Sequence, residues 1–368
     1  HFNLVEEALI KQPLHKRFFG LFYQSNYQGI EVYHIPLKKY KNTLLRLFSF
    51  IYWHKVSFLV GLFLKRPNVI LTPSPPLTSG VLAIILAKLK GAKAIYNVQE
   101  IYPDLLINLG HLKNSFAINF LKRLERFVYH RSSAVTAIDR QFYNSIKPRI
   151  KQENHLHIIP NFVDTDLYVT ETSMELPEVF EKKSGHTNML YAGNIGLAQE
   201  WDLVLNVAKE IRNESITIWI IGEGVKKEYL QTQIEKHNLS NIKLLPYQDR
   251  KYMPAINLFA DFHFIAMDKS MEHEGFPSKV YTIMASGRPM VVVSSAQTPI
   301  SSFLKDTGTA LLVLDHELQG FKEAVLALAS DKAMRLKMGE QGRSIIEAHY
   351  TKEKVEAEYV KLMDVLCQ

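Results

Sequence analysis

Residues suited to binding an anion lie in the loop from Met267 to Ser278, which precedes a helical pattern. Ser278 follows Pro277 and is a favourable helix N-cap, so a helix is predicted to begin there. The first turn of a helix presents free N–H groups and the positive end of its dipole, which suit a phosphate. Lys279 in this turn opposes the dipole, which indicates an anionic ligand. The alternative is that Lys279 points into solvent on an ordinary helix.

Glu274 and Gly275 lie in the same loop. A carboxylate accepts several hydrogen bonds in defined geometry, so Glu274 is suited to hold the hydroxyl groups of a sugar. A single glutamate in a loop is more often a solvated surface residue, and the residue type alone leaves this alternative open. The neighbourhood of Lys279 favours a joint site for a sugar and a phosphate.

Two glycine pairs, Gly193-x-x-Gly196 and Gly222-x-Gly224, follow predicted strands. Glycines in such places let the backbone approach a ligand closely. Neither pair completes G-x-G-x-x-G, so a nicotinamide site is poorly supported, and no G-x-x-x-x-G-K-[ST] motif occurs, which argues against a P-loop nucleotidase. Each pair alone is a weak signal, because short glycine pairs end strands in many α/β proteins.

Short β-branched runs alternate with helical patterns along the chain. This alternation predicts parallel sheets with helices on both faces, and two such series predict an α/β protein of two Rossmann-like domains. In the first half, strands are predicted at 31–35, 68–72, 94–98, 134–138 and 157–160. In the second half, strands are predicted at 189–192, 216–221, 242–245, 262–266, 290–293 and 310–313.

The domain boundary is predicted near 160–164, before a polar stretch. Residues 1–165 would form an N-terminal domain and residues 166–350 a C-terminal domain. Residues 351–368 form a last helix, which could cap its own domain or pack back on the first. Open doubly wound sheets bind ligands beyond the carboxyl ends of their strands, so the functional residues are expected in the strand-to-helix loops.

Cysteine and charge usage narrow the function classes. Cys367 is the single cysteine, so neither an internal disulfide nor a cysteine-based zinc site can form, which favours a reducing compartment. Residues 1–167 carry 22 Lys/Arg and 10 Asp/Glu, a net of +12; subtraction from the totals of 44 and 37 leaves 22 and 27, a net of −5, for the remainder. This asymmetry suggests that only the first half meets a polyanion, either a nucleic acid or an anionic membrane.

The segment 38–66 favours the membrane. It carries seven basic residues and no acidic residue, interleaved with aromatic residues. Such a composition suits an anionic membrane surface, and the longest uncharged run, 56–64, is nine residues and too short to span a bilayer. The alternative is a helix whose apolar side belongs to the core of the first domain. Nucleic-acid binding is not supported, since no RNP, helix-turn-helix or zinc pattern occurs.

An ordered set of motifs resembles the retaining GT-B glycosyltransferases of family 4, over about residues 30–350. The second half contributes Tyr191-Ala-Gly-Asn-Ile-Gly, Ile220-Ile-Gly-Glu-Gly, Leu245-Pro-Tyr, Ala260-Asp261, Glu274-Gly-Phe-Pro-Ser-Lys and Ala285-Ser-Gly-Arg-Pro. The first half contributes Thr72-Pro-Ser-Pro-Pro-Leu, Val98-Gln-Glu-Ile-Tyr-Pro-Asp104 and Ile159-Pro-Asn-Phe-Val-Asp164. These motifs look most like family members of capsule and O-antigen assembly, of the fucosamine-transferase and colanic-acid type.

The resemblance implies two facing Rossmann-like domains with a cleft between them, and catalytic roles for Glu274 at the donor sugar and Lys279 at the diphosphate. The predicted donor-binding residues are Gly193, Asn194, Gly196, Gly222, Glu223, Gly224, Tyr247, Arg250, Gly275, Phe276, Pro277, Ser278 and Thr282. Glu100 and Asp104, after a first-half strand, are the acceptor-side candidates; N-capping of the next segment is their alternative. Such enzymes need no divalent metal, so no metal and no cofactor are expected. The leaving phosphate is expected to take the acceptor's proton.

The chain departs from the family pattern at several positions. Thr282 occupies the place of the second glutamate of the family's E-x₇-E pair, which usually holds the ribose. Asn194 and Gln199 stand where many relatives carry Arg and Lys for the diphosphate, and either Arg250 or Arg288 is suggested as a replacement. The family's first strand and Gly-Gly loop are expected upstream of the first residue, so we expect an N-terminally truncated sequence.

The leading hypothesis is a cytoplasmic enzyme, peripheral on the inner face of a bacterial plasma membrane. It would transfer a sugar from a nucleoside-diphosphate sugar, with UDP as the expected nucleotide, to a polyprenyl-linked or polysaccharide-precursor acceptor with retention of configuration. One alternative is a nucleotide-sugar 2-epimerase, which shares the fold. Another is a catalytically impaired scaffold of a polysaccharide-assembly complex, which the changes at Thr282, Asn194 and Gln199 would suit.

Overall fold

The computed structural model describes residues 13–38, 40, 42–108, 110–270, 272 and 276–368. Two parallel sheets, each covered by helices, account for most of this chain, and a small antiparallel sheet precedes them. The predicted α/β fold with two Rossmann-like halves is thereby confirmed. Four residues of the predicted site and membrane segment, Lys39, Lys41, Glu274 and Gly275, lie outside the described residues.

The first parallel sheet has four strands in the order in which the chain makes them. These strands are β4 (Val69–Pro73), β5 (Lys93–Val98), β6 (Ala134–Ala137) and β7 (Leu156–Ile158). Its helices are α1 (Thr43–Phe63), α2 (Leu77–Lys90), α3 (Asp104–Asn108), α4 (Ser115–Arg131) and α5 (Arg140–Ile146). Strand β5 is buried from its second residue onward and lies between β4 and β6, so it forms the centre of this domain's core.

The small sheet corrects one prediction. The strand predicted at 31–35 exists, but it does not join the parallel sheet; it pairs antiparallel with its predecessor. The sheet comprises β1 (His15–Arg17), β2 (Phe22–Tyr27) and β3 (Ile30–His34). Gln28 and Gly29 connect β2 and β3 with positive φ angles of 51° and 87°, the turn geometry that closes a two-residue hairpin. This local turn, and not a helical crossover, therefore decides how β3 pairs.

The second parallel sheet has six strands in the order β10-β9-β8-β11-β12-β13. They are β8 (Thr187–Ala192), β9 (Ile216–Ile221), β10 (Ile242–Leu245), β11 (Phe262–Ala266), β12 (Met290–Val293) and β13 (Ala310–Val313). The helices are α6 (Trp201–Glu210), α7 (Lys227–Lys236), α8 (Met253–Phe259), α9 (Lys279–Ala285), α10 (Pro299–Leu304), α11 (Leu318–Ser330) and α12 (Lys332–His349). The order reverses between β8 and β11, and doubly wound sheets bind ligands beyond the carboxyl ends of strands at such a point.

The last helix, α13 (Lys352–Cys367), leaves the second domain and lies against the first. Val355 and Leu362 pack with buried residues of β5 and β6. Between them, the Tyr359 hydroxyl accepts a hydrogen bond of 2.8 Å from Nδ2 of Asn97 in β5. The chain therefore crosses between the two domains twice.

Helix α1, which carries basic and aromatic residues, is the longest described helix and lies largely on the surface. The side chain of Asn42 caps it by accepting from the backbone N–H groups of Leu44 and Leu45. Val56 is its one buried residue. Within the described ranges, no helix combines the length and the apolar character needed to cross a lipid bilayer.

Candidate active site

Three loops meet at the point where the strand order of the second sheet reverses. The loop after β8 bonds to the loop after β9, since Ile195 N donates to Glu223 O at 2.8 Å and Lys226 N donates to Ile195 O at 3.0 Å. It also bonds to the loop after β11, because Asp268 N donates to Ala198 O at 3.0 Å. Backbone groups are thus satisfied between loops, which fixes the loops relative to one another.

Glycine is required where the first two of these loops touch. A Cβ atom on Gly222 would lie 1.9 Å from Gly193 O, and one on Gly224 would lie 2.2 Å from Ile195 O. Both distances are far shorter than any van der Waals contact, and both glycines have positive φ angles, 154° and 158°. Gly222 and Gly224 are therefore needed for the two loops to pack together, whereas the predicted role of these glycines was to let a ligand approach the backbone.

Lys279 occupies the space that a third glycine leaves open. Its Nζ lies 3.5 Å from the centroid of the Tyr191 ring, a cation–π geometry. A Cβ on Gly193 would come within 2.7 Å of the same Nζ. Burial lowers the pKa of Lys279 to about 7, because a desolvated ammonium is disfavoured. The solvent-exposed alternative for Lys279 is thus wrong: the amine is held among the glycine loops.

The start of α9 differs in detail from the prediction. Ser278 is the residue before the helix, but its hydroxyl makes no capping hydrogen bond. The Thr282 hydroxyl donates to Lys279 O at 2.9 Å, so it is engaged within the helix. Phe276, before Pro277, packs against the apolar cores of both domains. The approach to α9 is consequently a contact between the two halves of the protein.

A cavity of about 720 Å³ opens beside these loops. The second domain contributes Asn194, residues 196–202, residues 224–226, Tyr229, Asp268 and Ser270. The first domain contributes Asn108, the last residue of α3, and His111, which follows this helix. The cavity therefore lies between the domains, and three predicted donor-binding residues, Asn194, Gly196 and Gly224, line it.

The two acceptor-side candidates have different surroundings. Asp104 begins α3, and its carboxylate forms an ion pair of 2.5 Å with Arg149, which also binds the buried Glu125 at 2.9 Å. Glu100 is half-buried beyond the end of β5, and burial raises its pKa while a hydrogen bond from Tyr102 opposes this. A partly desolvated carboxyl group can exchange a proton nearer neutral pH, so Glu100 is the better candidate for contact with an acceptor.

Three further predicted donor-binding residues are not among those that line this cavity. Tyr247 and Arg250 are exposed in the loop after β10, and the Glu223 side chain pairs with Lys227 at 2.5 Å. Arg288 does not suit the suggested role in diphosphate binding. It precedes β12, at the amino end of the strands, and its guanidinium donates to Leu258 O at 2.8 Å.

Sequence reasoning missed the residues that the first domain brings to the cavity, Asn108 and His111, because nothing in their local pattern marks them. It also missed Lys226, which lines the cavity with its Nζ 5.0 Å from the Tyr229 ring. Lys226 comes two residues after Gly224, and a cation so close to a glycine loop is a signal that could have been used. With Asn194 and Gln199 uncharged, Lys226 is a better source of positive charge than Arg288.

We expect Gly222→Ala to lower the free energy of unfolding of the protein by about 2–4 kcal/mol, because the new methyl group overlaps a backbone oxygen that cannot move freely. Urea denaturation followed by tryptophan fluorescence measures this change. Gly185→Ala is the matched control: Gly185 also has a positive φ, but its Cβ would meet no atom within 4 Å. Equal losses in the two variants would contradict the packing role assigned to Gly222.

Two family models match this chain, one on each domain. The model of the glycosyl transferase 4-like domain matches residues 20–161, and that of glycosyl transferases group 1 matches residues 173–345. A similar curated protein is the putative colanic acid biosynthesis glycosyl transferase WcaI of Escherichia coli. It is 26% identical over 322 residues, which cover 80% of this chain and 76% of WcaI.

Solved structures share the fold at low sequence identity. Sucrose-phosphate synthase from Thermosynechococcus elongatus superimposes with a TM-score of 0.73 at 13% identity, covering 97% of this chain and 86% of that one. HepE from Anabaena, determined in complex with UDP, has a TM-score of 0.67 at 14% identity, with 90% and 87% covered. The two domains, the reversal point of the second sheet and the family matches agree: this chain is a glycosyltransferase of the GT-B fold, with a glycosyl transferase 4-like domain followed by a group 1 domain.

Proposed function

We propose that the protein transfers a sugar from a nucleoside-diphosphate sugar, with UDP as the nucleotide, to a lipid-linked or polysaccharide-precursor acceptor with retention of configuration. The observation that carries the proposal is Lys279, a desolvated amine held between Tyr191 and Gly193 at the reversal point of the sheet. A buried ammonium group has lost its interactions with water, so a bound anion, which pairs with its positive charge, stabilises it strongly. The similarity to HepE, which binds UDP, supports the choice of nucleotide.

In this proposal the diphosphate lies on the cavity side of the glycine loops, beside the amine of Lys279, with Lys226 as a second cation at the cavity wall. The bond from the anomeric carbon to the β-phosphate breaks while the acceptor oxygen attacks from the same face. Attack from the face that the phosphate leaves retains the configuration. The acceptor proton passes to an oxygen of the leaving phosphate, so no protein nucleophile or base is needed. Positive charge near the diphosphate stabilises the leaving group as it forms. Glu274 would hold hydroxyls of the donor sugar.

The acceptor side is assigned to the first domain. Glu100 is proposed to bind an acceptor hydroxyl, because its carboxyl group is half-buried and its pKa is raised. Asp104 is not assigned to the acceptor, since its carboxylate forms an ion pair with Arg149. His111 and Asn108 reach the cavity from the same side and are proposed to border the acceptor.

Peripheral contact with an anionic membrane is proposed through α1 and the segment before it. Exposed apolar residues of this helix include Leu44, Leu47, Phe48 and Phe63, in a stretch from 32 to 99 without any acidic residue. The small sheet adds the exposed Phe18 and Phe19, which follow Lys16 and Arg17. It lies beside α1, since the Tyr52 hydroxyl donates to Leu21 O at 3.2 Å. Apolar side chains next to basic ones suit the inner face of a plasma membrane and bring the cavity near a polyprenyl-linked acceptor.

UDP binding is expected to take up close to one proton at pH 8.5 and almost none at pH 6. The free Lys279 has a pKa of about 7, so it is mostly neutral at the higher pH and becomes charged when the diphosphate binds. Calorimetric titration in two buffers of different ionisation enthalpy measures the uptake. Lys279→Met should abolish it, and uptake that persists in this variant would contradict the assignment.

Lys279→Met should weaken binding of UDP about 10- to 100-fold, the usual range for loss of one charge-assisted hydrogen bond. Lys269→Met is the matched control, because Lys269 is an exposed lysine of the preceding loop, and the UDP affinity of this variant should not change.

Glu274→Gln should leave UDP affinity nearly unchanged and lower turnover of the donor sugar, measured as UDP release. UDP binding without any donor turnover in the natural sequence would favour the scaffold alternative.

If α1 contacts the membrane, the double variant Arg46→Glu/Lys55→Glu should bind vesicles with anionic lipids at least about tenfold more weakly. Each basic residue near such a surface contributes about 1 kcal/mol to the free energy of binding. Co-sedimentation with vesicles of phosphatidylglycerol and phosphatidylcholine measures this effect. The control, Lys332→Glu with Lys337→Glu, makes the same change in net charge on exposed positions of α12. Equal effects of the two double variants would count against α1 as the contact.

A further inference from the structure

A buried histidine joins two glutamates at the edge of the cavity, and neither the family motifs nor the proposed reaction uses it. Nδ1 of His316 lies 2.7 Å from Oε2 of Glu200, and its Nε2 lies 2.9 Å from Oε2 of Glu272. The exposed fractions of the side chains are 1% for His316, 4% for Glu272 and 29% for Glu200. The three residues come from the loops after β13, β11 and β8, so the cluster ties together the loops that surround the site.

Each ring nitrogen of His316 lies within hydrogen-bond distance of a carboxyl oxygen, so the ring bridges Glu200 and Glu272. Hydrogen bonds that involve an ionised group are shorter and stronger than those between neutral groups, so such a bridge holds the side chains in a well-defined geometry.

Glu272 is anchored from a second side as well. The backbone N–H of Ser295 donates to its Oε2 at 2.8 Å, and the Ser294 hydroxyl lies 3.4 Å from the same atom. Burial acts to raise the pKa of Glu272, but hydrogen bonds from Ser295 and the interaction with His316 keep it below its usual value. The carboxylate of Glu272 therefore connects the loop after β11 both to the loop after β12 and to His316.

The backbone at His316 adopts an uncommon conformation. Its φ is +60°, in the left-handed region where a residue with a Cβ is uncommon. Asparagine or glycine would adopt this conformation at lower cost. A strained conformation persists where surrounding interactions determine it, and such positions cluster at functional sites. Here the two bonds to the glutamates supply those interactions.

We infer that His316 is a positioning residue for donor-sugar transfer, an inference that rests on the proposed function. The donor loop, the described residues 267–270, 272 and 276–278, leads directly into Lys279. His316 holds Glu272 of this loop against Glu200, which lines the cavity wall. The bridge keeps the donor loop beside the cavity, so the groups that meet the sugar keep their place during transfer. His316 itself touches no substrate.

Two variants test the role. His316→Asn keeps a residue that tolerates a positive φ but is too short and uncharged to bridge both glutamates. Glu200→Gln keeps the size of the side chain and removes one of the two charges. Both should lower kcat for release of UDP from a donor sugar about tenfold or more, with the affinity for UDP changed less than about twofold, because neither variant removes a side chain assigned to the nucleotide.

The control is His186→Asn. His186 is a half-buried histidine at the amino end of β8, with its Nδ1 3.2 Å from the Thr217 hydroxyl. A general loss of folding would change both the UDP affinity and the melting temperature, so the split between kcat and UDP affinity separates positioning from stability. UDP-glucose and UDP-N-acetylglucosamine serve as donor probes.

Amide hydrogen exchange tests the bridge without any ligand, so it is informative even if the proposed donor is wrong. In His316→Asn, exchange of the peptide covering 267–278 should accelerate about tenfold or more, while exchange in β9 stays the same. Unchanged exchange at 267–278, or equal acceleration in β9, overturns the inference. If exchange in His316→Asn is faster but kcat is unchanged for a donor that the natural protein turns over, the positioning role is overturned. Failure of the natural protein to bind UDP would instead reject the proposed function.

Discussion

The backbone contact between the loops after β8 and β9 is the constraint on which the rest of the site depends. Two carbonyl oxygens, of Gly193 and Ile195, lie where the Cβ atoms of Gly222 and Gly224 would be. Because the loops can close on each other, Lys279 fits over Tyr191 with its amine beside Gly193. The same closeness removes water from the amine, which lowers its pKa.

The two domains are coupled by more than the linker near 163. Helix α13 carries apolar residues of the chain's end into the core of the first domain, where Tyr359 bonds to Asn97. Phe276, three residues before Lys279, packs on both cores. A change in the relative position of the domains would therefore be felt at the start of α9. This geometry explains how one cavity can take one wall from each domain.

Charge is divided between the domains according to what each is proposed to meet. The first domain is basic and exposes apolar and aromatic side chains on α1, which suits a membrane surface. The second domain is acidic on balance, yet its cavity contains Lys226, and Lys279 lies behind it among the glycine loops. Under the proposed function, local positive charge in an otherwise acidic domain would attract the diphosphate of the donor without making the whole surface bind polyanions.

The sequence by itself determined the parallel α/β architecture, the six strands of the second domain and the loops in which the glycines and Lys279 occur. These features follow from hydrophobic periodicity and turn residues, which are local properties of the chain. Only the tertiary structure decided that β3 belongs to a hairpin, that Arg288 lies at the amino end of the strands and that His111 reaches the cavity. It also brought His316 to Glu200 and Glu272, which are 116 and 44 residues away in sequence. Such meetings depend on the order of strands in the sheet, because loops that are distant in sequence become neighbours at its carboxyl edge.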